Sequence, residues 1–534
     1  MRGAAPMHST PLPTDRSLLI ARLQESPEFD LLVIGGGATG LSVALDAACR
    51  GHRVALLEAH DFAEGSSSRA TKLLHGGVRY LAQGNLALVR EALRERSAML
   101  RNAPHLASPL AFVMPSYHFG AQSFHHLGLW LYDALAGAAS LGKAQGLSRL
   151  QALEALPTLR TDGLKGGVRF WDGQFDDARL ALAIARTAAE HGALLINRMK
   201  VDGLLSEAGR VCGVHCIDSM SGQRHTLKAG CVVNATGVWV DEMRAIDGRM
   251  AQRETRAILS PSQGVHLVLD PEWLSGEHAL LVPKTSDGRV LFAVPWLGKV
   301  VLGTTDTARK DLSLEPRPLR AEIDFLLAEA SRYFTRPPQR SDVRSAWVGL
   351  RPLVDAAGEG THPSRSISRE HTVMVSPSAL VSVTGGKWTT CRAMAEDVIA
   401  CCEQAGLLEA RAAGATRSLS LVGGRGEAPH PIALSQPPGL HLYGDEALHV
   451  QAIEGADQML APGLSEAMVR FAIRHEYALT VADVLSRRSR LLFLDARSAH
   501  DLAPRVASII QAELGCDPQL ESFRSLARQY LDLP

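Results

Sequence analysis

At 534 residues, 46% hydrophobic and 21% charged, the chain has the size for two or three domains and the composition of an ordinary soluble globular protein. Lys and Arg number 56 and Asp and Glu number 56, so no global field favours nucleic acid, and no basic run supplies a local one. The eight cysteines are scattered, and Cys212 and Cys216 lack a second pair at zinc spacing, so reduced buried thiols are expected and no metal.

Residues 1–28, with Pro6, Pro11, Pro13 and Pro27, read as a loosely attached tail with one helical turn at Ser17–Leu23. They lack the long apolar core and small-residue cleavage pattern of a secretory signal, and no run of 18 apolar residues predicts a spanning helix. Asp30–Ile34 then reads as a buried strand, Gly35, Gly37 and Gly40 as a G-x-G-x-x-G turn, Ala38–Arg50 as a helix closed by Gly51, and Arg53–Leu57 as a second strand ending at Glu58. In that order Gly35 makes the tight turn, Gly37 admits a pyrophosphate, and Gly40 lets the helix pack close to the strand. The helix N-terminus faces the phosphates, and Glu58, 18 residues after Gly40, suits a ribose hydroxyl pair. This is a dinucleotide site; the turn alone does not choose between FAD and NAD.

The loop from Gly65 to Leu81 is rich in hydroxyls and glycines, suited to crossing a second phosphate or a ring system. A helix follows at Asn85–Leu100 and a strand at Leu110–Pro115. Ser123–Ala136 is helical and apolar nearly all round; burial is the favoured reading, a membrane-surface element the alternative. Asp176-Asp177 precede a helix at Ala178–His191; Ala193–Ile196 is a strand, and Val211–Ile217 with His225–Leu227 suggests a hairpin. Cys231–Asn234 runs into the small-residue turn Ala235-Thr236-Gly237, and short alternating strands between Gly264 and Gly303 predict an antiparallel wall. Pro318–Phe334 is an amphipathic helix. The strand Leu380–Val383 enters Gly385-Gly386-Lys387, and a helix over Thr389–Glu403 offers its N-terminus to an electron-rich group. Residues 411–440 read as a linker, and Ser465–Tyr477, Thr480–Arg487 and His500–Leu514 as packed helices with Ser465 and Thr480 as N-caps.

Seven stretches in order carry a family resemblance: Gly35–Gly40; Ser66–Leu81, with Lys72, His75, Gly76, Gly77, Arg79 and Tyr80; Asp176–Arg179; Asn234–Gly237; Gly303–Asp306; Gly349–Pro352; and Thr384–Thr390. Together, over about residues 29–405, the chain resembles the FAD-dependent glycerol-3-phosphate dehydrogenases, and its helical tail resembles their C-terminal domain. Ser262-Gln263-Gly264 stands where many members carry a Lys, Cys391 where many carry a Tyr, and Phe175 where a Trp commonly precedes the Asp pair.

The resemblance implies an α/β, glutathione-reductase-like FAD-binding Rossmann domain with a mainly antiparallel substrate domain and an all-α C-terminal domain. The divisions expected are a tail at 1–28, an FAD and substrate domain at 29–410 with its wall mainly at 108–165 and 260–345, a linker at 411–440 and a helical domain at 441–534. Noncovalent FAD is expected on Gly35, Gly36, Gly37, Ala38, Thr39, Gly40 and Glu58; on Ser66, Ser67, Ser68, Lys72, His75, Gly76 and Gly77; and on Ala235, Gly237, Gly385, Gly386, Lys387 and Thr389. The implied reaction takes sn-glycerol 3-phosphate to dihydroxyacetone phosphate and passes electrons to a membrane quinone, from a cytoplasmic, membrane-peripheral position. A homodimer is an open expectation. A dianionic phosphate needs cations and hydroxyls. Arg79, Tyr80, Thr305 and Lys387 are assigned to it, with Arg351 nearer the alcohol oxygen. His75 is the expected base, because its reference pKa of about 6.5 lies near working pH. The competing readings are an oxygen-using glycerol-3-phosphate oxidase, a related flavin-dependent amine or amino-acid dehydrogenase, and a silent FAD-binding scaffold.

Overall fold

The computed structural model describes residues 10–77, 85–118, 121–355, 370–426 and 432–534, with backbone alone at 121–127 and 138. The strand Glu28–Ile34 lies at the centre of a largely parallel sheet, between Val54–Leu57 and Arg224–Asn234. Leu31, Leu32 and Val33 have no solvent exposure, because helices cover both faces of such a sheet. Across it the order is His371–Val375, Leu380–Gly385, Arg224–Asn234, Glu28–Ile34, Val54–Leu57 and Leu194–Ile196; the antiparallel pair Met199–Glu207 and Arg210–Asp218 joins at Arg224–Asn234. The helices Ala38–Cys49, Asp177–Glu190 and Cys391–Gln404 pack against one another over this core.

A second sheet is mainly antiparallel. Its order is Thr307–Ala308, Ser262–Leu269, Lys299–Gly303, Leu291–Trp296, His278–Val282, Ala107–Ser116, Gly166–Phe175 and Leu73–Leu74, with Ser345–Arg351 beside Ser262–Leu269 and Gln145–Ser148 beside Gly166–Phe175. The expected wall therefore draws in three further strands, at Leu73–Leu74, Gly166–Phe175 and Ser345–Arg351. Val54–Leu57 belongs to the first sheet and Leu73–Leu74 to the second, so the hydroxyl-rich loop between them crosses the interior. The C-terminal domain is helical: Glu466–His475, Leu491–Leu494, Ala496–Leu514 and Leu520–Leu531. Its caps follow the sequence: the Ser465 hydroxyl accepts the Met468 N–H, and Thr480 and Asp483 cap each other.

Three expectations change. The described part of the tail is docked: Arg16–Glu25 is a helix that buries Leu19 and Leu23, and Arg16 pairs with Asp218 at 2.6 Å. The segment read as a linker is packed where described, with Leu421 and Val422 buried and the Thr416 hydroxyl donating to Asp46. The helix Ala121–Ala136 is not buried all round. Leu129 and Tyr132 are 1% exposed, whereas Trp130 is 60% and Leu131 41% exposed.

Leu23 sets a test of the docked helix. Leu23→Ala should cost about 2–3 kcal/mol, read as a lower thermal midpoint; an unchanged midpoint would detach this helix from the fold.

Candidate active site

A cavity of about 1030 Å³ lies between the two sheets. At one end is the glycine turn. Gly35 has φ +107°, and a Cβ on Gly40 would sit 2.0 Å from the Gly35 carbonyl oxygen, so the turn and its helix demand glycine at both positions. The helix Ala38–Cys49 begins at Gly37 with no side-chain cap and no acidic residue in its first turn. Such an end suits a pyrophosphate. The Ser67 hydroxyl accepts the Ala38 N–H at 2.9 Å, which brings the hydroxyl loop to the same helix end.

Of the residues assigned to the cofactor, Gly37, Ala38, Thr39, Ser66, Ser67, His75, Gly77, Ala235, Gly237, Gly385, Gly386, Lys387 and Thr389 line this cavity. Gly35, Gly36 and Gly40 shape the turn behind it. Glu58 is held at the turn, where Oε2 accepts the Gly36 N–H at 2.6 Å and Oε1 the His60 N–H at 2.8 Å. Burial pushes its carboxyl up to about 7. Gly76 donates its N–H to the Tyr132 hydroxyl at 2.9 Å. Ser68 and Lys72 face away. The Lys72 ammonium is wholly buried and donates to the Ser68 carbonyl at 2.9 Å and to Asp177 at 2.6 Å, so its assignment to the cofactor does not hold. A left-handed backbone at Lys72, φ +65°, turns this side chain away from its loop neighbours Thr71 and Leu73, both on the cavity wall.

The opposite wall carries Arg351, half-buried, from the end of the strand Ser345–Arg351. Its guanidinium donates to Thr304 Oγ1 at 3.2 Å, to the Thr305 carbonyl at 3.0 Å and to Asp306 at 3.3 Å. A Cβ on Gly264 would lie 2.2 Å from Arg351 Nη2, so this glycine makes the space the guanidinium occupies. The Thr305 hydroxyl, assigned to phosphate, is committed elsewhere: it donates to Glu322 at 2.9 Å and accepts the Val265 N–H at 3.0 Å. Its part is to hold the wall that orients Arg351. Lys387 lines the cavity where Leu380–Gly385 passes into the helical turn Trp388–Thr390 and the helix Cys391–Gln404. Arg79 and Tyr80 lie outside the described residues.

One cavity histidine escaped the sequence reading. His266, in the middle of Ser262–Leu269, stacks on Trp347 at 4.1 Å between centroids, and its Nε2 meets Thr71 Oγ1 at 3.0 Å. Burial, then the charges of Lys72 and Arg351, hold it well below the ordinary imidazole range, so it is neutral at pH 7. Its signal in the sequence was a polar residue in an apolar strand, which a satisfied core histidine would give equally. Phe175 fills its place by packing edge-on against Trp388 at 5.1 Å, and Trp388 Nε1 in turn donates to the Ser67 carbonyl at 2.8 Å.

A helix N-terminus, a glycine turn, a hydroxyl loop and a cation-bearing wall around one long cavity fit FAD, whose pyrophosphate would be held at Gly37 and whose ring would lie toward Arg351 and Lys387. Residues 30–399 match the family described as FAD dependent oxidoreductase, and residues 415–521 match the C-terminal domain of alpha-glycerophosphate oxidase. The chain is 40% identical over 555 residues to the mitochondrial glycerol-3-phosphate dehydrogenase of Bos taurus, covering 97% of this chain and 75% of that protein. It is 40% identical over 552 residues to that of Homo sapiens, covering 96% and 75%. The chain belongs to the FAD-dependent glycerol-3-phosphate dehydrogenase family. The solved glycerol-3-phosphate dehydrogenase from Bacillus halodurans, complexed with FAD, matches 97% of this chain and 98% of its own, at 30% identity and a TM-score of 0.77. The family's cofactor is thus FAD, in the glutathione-reductase-like α/β domain that the glycine turn opens.

Glu58, expected to hold the ribose, would make the cofactor's hold dependent on pH. Its folded pKa of about 7 lies above the ordinary 4.5, so the FAD-free fold is favoured below 4.5 and loses that contribution as pH rises through about 7. A ribose held by the ionised carboxylate reverses the sign for binding: FAD affinity should rise between about pH 6 and 8. Glu58→Gln should flatten that rise in a fluorescence titration; an unchanged profile would remove Glu58 from the ribose.

Proposed function

We propose that this chain oxidises sn-glycerol 3-phosphate at C2 to dihydroxyacetone phosphate and passes the electrons to a membrane quinone. What carries the reading is one cavity in which Arg351, Lys387, His75 and His266 face the cofactor turn, in a chain 40% identical to proteins named for this substrate. An amine or amino-acid substrate would leave these cations facing no dianion.

Bound FAD supplies the acceptor for the hydride released from C2. The chain's own residues do the rest. Lys387 and Arg79 neutralise the phosphate, and the Tyr80 hydroxyl donates to it. Arg351, oriented by Thr304, Thr305 and Asp306, donates to the C2 oxygen. The C2–H bond breaks, the C2–O bond becomes a carbonyl, and the hydroxyl proton passes to an imidazole. His75 is the assigned acceptor. His266 is the second candidate, because its buried Nδ1 has no hydrogen-bond partner among the described residues; its lowered pKa weakens it as a base. Fixed donors act here in place of water and need no reorganisation during the reaction.

The choice of quinone over oxygen rests on the cavity's outer wall. Phe112, Met114, Phe170, Leu281 and Phe292 line it, beside the exposed Trp130 and Leu131. Among the described residues no helix is long and apolar enough to cross a membrane, so the contact proposed is peripheral, through this face. The cytoplasmic side of the membrane remains the expected location.

Arg351→Ala should purify yellow and lose about 10²–10³-fold in turnover. His75→Ala and His266→Ala should separate the two imidazoles: the variant of the true base keeps its flavin, loses about 10²–10⁴-fold and loses the acidic limb of its pH–rate profile. Near-normal rates in all three variants would sink the assignment. With sn-glycerol 3-phosphate, a quinone analogue should accept the electrons with little hydrogen peroxide formed; stoichiometric peroxide would make the enzyme an oxidase.

A further inference from the structure

The hydroxyl loop shows its side chains to the cavity and its backbone to the C-terminal domain. In front, Ser66 donates its hydroxyl to the Leu350 carbonyl at 2.6 Å and the Ser67 hydroxyl accepts the Ala38 N–H, while the Ser67 carbonyl accepts Trp388 Nε1 from the cavity side. Behind, the Ser68 carbonyl accepts two buried cations. One is Lys72, at 2.9 Å. The other is Arg490, from the helical domain, at 2.7 Å. Arg490 also donates to Asp177 at 3.1 Å and to the Ser486 carbonyl at 2.9 Å, and its guanidinium lies 4.2 Å from the Phe493 ring centre. Asp177 joins the group to the loop a second time, by accepting the Ala70 N–H at 2.9 Å. Lys72 lies 4.6 Å from the ring centre of Trp347, the ring on which His266 stacks.

Neither cation is exposed, and neither takes part in the chemistry above. Both sit in the left-handed backbone region, Lys72 at φ +65° and Arg490 at φ +64°. Side-chain-bearing residues persist there only where their surroundings over-determine them, and such positions gather at functional sites. Rotating the peptide after Ser68 would remove an acceptor from two buried cations at once, which holds that peptide far more firmly than an ordinary loop.

We propose that Arg490 and Lys72 are positioning residues for the cofactor loop: by fixing the Ser68 carbonyl they aim Ser66 and Ser67 at FAD, and they make the C-terminal domain a working part of the cofactor site. This rests on FAD occupying the cavity as described above. A purely adhesive role has a model in the same interface, where Arg186 pairs with Glu446 through two bonds of 2.6 Å and, among the described residues, makes no hydrogen bond to the loop.

Hydrogen exchange on the wild-type chain, with and without FAD, separates these roles. FAD should slow exchange in peptides covering 35–41 and 66–75, and with them in 483–494, which does not line the cavity. If 483–494 does not respond while the other two do, the proposal fails; if 35–41 does not respond, FAD is misplaced instead. Arg490→Lys keeps the charge but cannot make all three contacts. It should raise the FAD dissociation constant about tenfold, equal to about 1.4 kcal/mol, and change the flavin's visible spectrum. Arg186→Lys should leave both within about twofold of wild type. An unchanged dissociation constant in Arg490→Lys, or equal losses in the two variants, would overturn the proposal.

Discussion

A loop that crosses a protein interior must find a partner for every buried N–H and C=O it carries, and this requirement organises the molecule. The segment from Gly65 to Leu74 leaves the parallel sheet and joins the antiparallel one. Its partners come from four places: the helix that begins at Gly37, the Leu350 end of the substrate wall, the Trp388 turn, and Asp177 with Arg490. The loop therefore brings the cofactor turn, the substrate wall and the helical domain into one register. A flavin whose phosphates were held at Gly37 would reach toward Arg351 and Lys387 on the opposite wall, and this segment ties those walls together.

The charges divide by task. Arg351 lines the cavity and is only partly buried, and Thr304, Thr305 and Asp306 hold its guanidinium on the cavity wall. Lys72, Arg490, Asp176 and Asp177 are wholly buried and pair with one another. Burial lowers the Lys72 ammonium to about 7, and burial, then the charges of Lys72 and Arg351, holds His266 neutral. A neutral imidazole can take a proton; a cationic one cannot. The same burial that keeps His266 neutral also lowers its basicity, and it leaves the buried lysine a structural role.

The parallel core was legible because its strands are continuous apolar runs and its glycines stand at set intervals. The N-caps at Ser465 and Thr480 were legible for the same local reason. The strand Gly166–Phe175 was not. Its pattern, GGVRFWDGQF, is interrupted by Arg169 and Asp172, whose partners are remote in sequence: Arg169 donates to Gln145 at 2.5 Å and Asp172 pairs with Arg96 at 2.9 Å. Lys72 misled because motif spacing does not show the sign of φ, and a left-handed residue sends its side chain to the unexpected side. Thr305 misled because a hydroxyl's commitment depends on Glu322, 17 residues away. Arg490, 422 residues from Ser68, carries no sequence sign of its contact with the loop. The exposed face at Trp130 and Leu131 was hidden by composition, since an apolar helix reads the same whether it is covered or not.

That one cavity brings the substrate's C2 to the flavin is tested most directly by anaerobic stopped-flow mixing of the FAD-loaded chain with sn-glycerol 3-phosphate. The expected result is rapid bleaching of the flavin's visible absorbance, saturating with substrate and yielding one dihydroxyacetone phosphate per flavin. A flavin that stays oxidised under saturating substrate would contradict it.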